Sequence, residues 1–126
     1  MPSIHHTELA PAAIGPYSQA ISAGGFLFCA GQTPLDPKTM ALVEGDVGVQ
    51  AAQVLRNLHA VLQSAGCTWK DVVKTTIFLR TMGDFAKVNE VYAATLGESR
   101  PARSTVAVAG LPKDAQVEIE LVAKLP

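Results

Sequence analysis

Hydrophobic and polar positions along this chain change period several times, and each change predicts an element. Between Ser18 and Ala30 two short apolar runs flank Gly24-Gly25, which is a hairpin signal. Gly31 to Thr39 holds two prolines and a glycine and reads as a loop. From Asp46 to Ala65 the period becomes helical. Val47, Ala51, Val54, Leu55, Leu58, Val61, Leu62 and Ala65 recur at three- and four-residue steps. Asp46 is the expected N-cap and Gly66 the terminator. Thr68 to Asp71 has the pattern of one capped turn. Val72 to Arg80 is rich in β-branched residues and predicts a strand. A second helix follows, with Asp84 as its expected cap and Phe85, Val88, Val91, Tyr92 and Leu96 as its apolar face. Gly97 stops it and Pro101 blocks continuation. Strands over about Ser104–Val108 and Gln116–Leu125 complete the chain.

The predicted order is three strands, helix, strand, helix, strand, strand, with no linker, repeat or low-complexity tract. This is one α+β domain over residues 1–126. Two amphipathic helices cover only one face of such a sheet, so the other face meets water or another subunit. In the last strand Val117, Ile119, Leu121, Ala123 and Leu125 point one way, toward the helices, and Glu118 points the other. In the strand before it, Ser104, Val106 and Val108 are the more apolar set and are expected to face the helices. That assignment puts Arg103, Thr105 and Ala107 on the open face with Glu118.

Composition narrows the reading. The 126 residues are 48% hydrophobic but only 17% charged, with a net charge of −1. The low charged fraction favours self-association. The absence of a basic excess argues against nucleic acid as the main partner. No apolar run approaches the length of a membrane span, and the N-terminal residues lack the pattern of a signal peptide. Cys29 and Cys67 read as free, largely buried thiols of a reducing cytoplasm, with Cys67, just after a helix end, the one open to partial exposure. His5 and His6 are adjacent and lack a third ligand at useful spacing, so no metal site is expected. His59 lies off the apolar stripe and is expected to be solvated. Trp69 is expected to pack.

The segment RPARSTVAVAGLPKDAQVEIE, from Arg100 to Glu120, resembles the signature of the RidA/YjgF family of imine and enamine deaminases. Its P-x-R element (Pro101, Ala102, Arg103), LPK turn (Leu111–Lys113) and VEIE element (Val117–Glu120) match in order and spacing. Upstream, Ala13–Ala20, Ala30–Thr39, Val72–Leu79 and Asp84–Ala93 are similar to family blocks, so the resemblance covers essentially the whole chain. It implies a chorismate-mutase-like fold: a single mixed sheet with two helices on one face, three copies packing into a trimeric barrel. It also implies inter-subunit sites that hydrolyse 2-imino or 2-enamino acids, such as 2-aminoacrylate, to 2-keto acids and ammonia without a cofactor.

By the same resemblance Arg103 grips the substrate carboxylate and Glu118 orients the attacking water and relays protons. Tyr17 lines the site, Gly31 and the Thr105 backbone approach the ligand, and Asn89 stands near the pocket. Many relatives have cysteine where this chain has Thr105, so a thiol-dependent step is excluded. Many have serine where Ala30 stands and an aromatic residue where Arg100 stands. A different class of function fits the same residues: a non-catalytic trimer that binds small carboxylates and signals their level. Ribonuclease or chaperone behaviour, associated with some relatives, is disfavoured by the neutral charge balance.

Overall fold

The computed structural model describes residues 2–126. Six strands, β1 (Ser3–His5), β2 (Ala20–Ala23), β3 (Phe26–Gln32), β4 (Val72–Leu79), β5 (Ala102–Ala107) and β6 (Val117–Lys124), make one sheet in the order β1-β2-β3-β6-β4-β5. Among the described residues only β4 and β5 pair in parallel. Helices α1 (Val47–Ser64) and α2 (Phe85–Leu96) pack together and cover one face. The architecture is the α+β sheet with one-sided helices expected from the pattern.

Local chemistry explains most boundaries. Gly24 and Gly25 both take positive φ, which the two-residue turn between β2 and β3 demands of both central positions. The Asp46 carboxylate accepts from Val49 N at 3.0 Å and opens α1. Gly66, at φ +75°, closes it. Thr68 and Asp71 cap each other's backbone in a reciprocal box around one 3-10 turn. The second helix departs from expectation. Asp84 makes no capping bond, because a 3-10 turn over Met82–Asp84 already leads into α2 and the Thr81 hydroxyl accepts from Gly83 N.

The core lies between helices and sheet. Leu27, Leu55, Leu58, Leu62, Ile77, Leu79, Val117 and Ile119 are fully buried there. Thus the helix-facing set expected for β6 is confirmed. The set expected for β5 is reversed. Parallel pairing aligns Thr75 with Arg103 and Ile77 with Thr105. Thr75 and Ile77 are buried against the helices, and residues opposed in a sheet share a face. Arg103 and Thr105 therefore lie on the helix side, while Ser104 and Val106 lie on the open side. Hydrophobicity misled here because the open face is itself apolar: Phe28 and Val106 are 48% and 44% exposed on it.

Two smaller expectations are corrected. Cys67 is buried rather than partly exposed. His59 is half-buried rather than solvated: its ring stacks on Trp69 at 6.2 Å between centroids and its Nδ1 is buried. Trp69 packs against the core as expected.

Candidate functional site

The residues singled out in the sequence form two stations on opposite faces of the sheet. The first is built around Glu118 on the open face of β6. β3 has a register shift between Cys29 and Gln32, and within it Ala30 and Gly31 line the same cleft as Glu118, as strand irregularities commonly do beside functional groups. The carboxylate occupies the space that a side chain at residue 31 would need. A Cβ on Gly31 would overlap it and come within 2.9 Å of Glu118 Cδ. Tyr17 lines the same cleft, which measures about 540 Å³. Half-buried Glu118 has its carboxyl raised above the usual 4.5, first by lost solvation and then by the negative charge of Glu120. A raised carboxyl keeps a protonated fraction nearer neutrality, as a proton relay requires.

Buried amides that sequence reasoning missed hold the walls of this cleft. Gln19, 2% exposed, donates to the Thr7, Ala10 and Pro11 carbonyls and accepts from Thr7 N at 2.7 Å. It ties down the segment that leads to Tyr17. Asn57 on α1 donates to Thr33 O and Leu35 O at 3.1 and 3.0 Å. Across the cleft, Lys113 donates to Met40 O. Met40, Lys113 and Asp114 are the described non-glycine residues with positive φ, and Met40 and Lys113 line this cleft. Such backbone conformations cost roughly 1 kcal/mol or more each and concentrate at functional sites. A glutamine or asparagine on an apolar helix or strand face is a weak signal in a bare sequence, because its partners are loop carbonyls fixed by folding.

The second station is built around Arg103 on the helix face of edge strand β5. Its guanidinium lies over the rings of Tyr92 and Phe85, with Cζ 5.0 and 5.6 Å from their centroids. Its Nη1 donates to Asn89 Oδ1 at 2.7 Å. All three supports come from one stripe of α2. Among the described residues no carboxylate pairs with Arg103; the ion pairs are Arg80–Asp114 and Lys87–Glu90. Thr105, two residues along the same face, has a buried hydroxyl with no hydrogen-bond partner. Arg100, beside the Arg103 cleft, folds back to donate to Gly97 O and Ser99 O. Both carbonyls belong to the turn that follows α2, so Arg100 ties down that turn rather than the last carbonyls of the helix.

The structure thus brings Tyr17, Gly31 and Glu118 together, and separately Arg103, Asn89 and Thr105. Within one chain it does not join the two groups, contrary to the shared face expected from alternation. Burial pushes the Cys29 thiol up to about 12, with Cys67 nearby adding to the effect. That thiol stays protonated at neutral pH, so it is no nucleophile.

Comparison with known proteins places these features in a lineage. The profile described as Endoribonuclease L-PSP matches residues 7–125. A RutC family protein of Synechocystis is 61% identical over 125 residues, spanning 98% of this chain and 96% of that one. The 2-iminobutanoate/2-iminopropanoate deaminase of Salmonella typhimurium is 50% identical over 120 residues and 93% of each chain. A Rid family protein of Yersinia pestis superposes with a TM-score of 0.97 at 48% identity, covering 99% of this chain and 100% of that one. On sequence and on three-dimensional structure alike, this chain belongs to the RidA/YjgF family, whose profile carries the Endoribonuclease L-PSP description.

Proposed function

We propose that this protein hydrolyses 2-imino and 2-enamino acids to 2-keto acids and ammonia, at sites shared between copies of the chain. One observation carries the reading: Arg103 is a half-buried guanidinium, fixed by two rings and an amide, with no carboxylate among the described residues to neutralise it. A fixed, unpaired fork is suited to a carboxylate that arrives from outside, with two parallel hydrogen bonds setting its direction. Membership of a family that includes the Salmonella deaminase supports the same chemistry. The free, buried thiols fit work in a reducing compartment, the cytoplasm.

The reaction needs little beyond positioning. Water adds to the electrophilic imine carbon and gives a carbinolamine. A proton passes to the nitrogen, the C–N bond breaks, and ammonia leaves as the carbonyl forms. Glu118 orients the water and moves the proton, helped by its raised carboxyl. Tyr17 donates to the bound ligand, and Gly31 admits it beside the carboxylate. Because Arg103 and Glu118 lie on opposite faces of one sheet, a complete site takes Arg103 from one copy and Glu118 from its neighbour. A closed ring of three such copies buries the apolar open faces in a common barrel.

The test is ammonia release from enzymatically generated 2-aminoacrylate. The native protein is expected to accelerate it, while Arg103→Ala and Glu118→Gln lose that acceleration. Carboxylate binding without turnover in the native protein would replace this reading with a ligand-sensing trimer. RNA cleavage lost in the same variants would replace it with a nuclease.

A further inference from the structure

The support beneath Arg103 extends one layer deeper than the residues that touch it. In the parallel register Thr75 of β4 stands opposite Arg103 of β5. Thr75 is 1% exposed, and its Oγ1 lies 2.8 Å from the Tyr92 hydroxyl. Tyr92 in turn carries the guanidinium on its ring face at 5.0 Å. Strand register, a buried hydrogen bond and a cation–π contact therefore close a loop that begins and ends at Arg103. Phe85, Asn89 and Tyr92 follow at i, i+4 and i+7 on α2, so one helix face presents the whole cradle.

We propose that Tyr92 and Thr75 form a positioning pair that sets the direction of the Arg103 fork. The inference rests on the carboxylate-gripping role given to Arg103 above. A ring face holds a cation above it but leaves it free to slide and turn. Tying the ring by its hydroxyl to the strand residue opposite Arg103 fixes where that face lies. Asn89 then takes one of the five guanidinium N–H donors and sets the rotation in the plane. The remaining donors stay in a fixed direction at the cleft. A tyrosine whose hydroxyl merely satisfied a buried threonine would stabilise the fold without influencing the arginine.

The experiment compares Tyr92→Phe, Thr75→Val and the double variant with the native protein, using the intact assembly. Tyr92→Phe keeps the ring and removes only the tether. Binding of 2-oxobutanoate is measured by calorimetry, and order of the Arg103 Nε–H group by NMR relaxation. Each single variant is expected to bind about tenfold more weakly, one hydrogen bond's worth, and to loosen Arg103. The double variant is expected to be no worse than either single one, since all remove the same bond. Imine turnover should show the loss in KM more than in kcat. Thr75→Ser, which keeps the hydroxyl, is expected to behave as the native protein and carries the test if Tyr92→Phe does not fold. A lower melting temperature with unchanged binding and unchanged Arg103 order would overturn the proposal. If Arg103→Ala binds 2-oxobutanoate as tightly as the native protein, the carboxylate reading fails instead, and the order of Arg103 alone decides the positioning claim.

Discussion

Gly31 and Glu118 show how much one missing side chain matters. Glycine at residue 31 is required by space, not by conformation, since its φ is not in the left-handed region. Gly31→Ala should fold, because the displaced group is the end of a flexible side chain. It should nevertheless cut imine hydrolysis by about a hundredfold, the usual consequence of moving a reacting group by about an ångström; steady-state ammonia release checks it. Glu118 itself carries a cost in stability. Its carboxyl is raised in the folded protein, so its contribution is most favourable below the ordinary carboxylate value and is lost as pH rises through the raised one. Glu118→Gln removes that loss. The variant should melt above the native protein at pH 7, with the difference shrinking below pH 4.5. Thermal scans across pH measure this directly. Of these features, the identity of Glu118 was legible in the VEIE element, but its electrostatics were not. The Glu120 charge lies two residues away in the same element, but the burial that raises the carboxyl first comes from segments distant in sequence.

At the scale of elements, α1 and β6 were readable because each buries one whole face against a dry core. Hydrophobic period then reports burial directly. Edge strand β5 was not readable in the same way. Its alternation correctly grouped Arg103 with Thr105, but the face was assigned by apolarity. Both faces of this strand are partly polar and partly apolar, because one meets α2 at the sheet margin and the other is an exposed apolar surface. The start of α2 failed for a different reason: helical bonding begins one turn earlier, at Thr81, so Asp84 already has helical backbone rather than the extended conformation of a cap. Helix α1 also works beyond its own packing. Asn57 bonds to two carbonyls of the loop that walls the Glu118 cleft. Asn57→Ala should cost about 2–3 kcal/mol in denaturant unfolding, since it strips partners from buried carbonyls and leaves space behind. It should also raise KM as that wall loosens.

At the scale of the whole molecule, the opposed stations make a prediction that a single-chain site would fail. Arg103→Ala and Glu118→Gln should each be inactive, yet unfolding and refolding them together should restore activity. In a head-to-tail ring each junction takes one residue from each neighbour, so random mixing leaves about a quarter of the junctions intact. Recovery measured against separately refolded controls tests it, and no recovery would place both residues in one subunit's site. Residue order alone established the one-sided sheet, the core of β6 and the helix caps at Asp46 and Thr68, because local bonding and one-sided burial leave direct periodic traces, while the motifs at Pro101–Arg103, Leu111–Lys113 and Val117–Glu120 carried the resemblance to the family. Folding was needed to show which side of the sheet Arg103 faces, how Gly31 makes room for Glu118, and which buried amides brace the cleft. Those facts depend on strand register and on contacts between distant segments, and alternation within a single strand is blind to both.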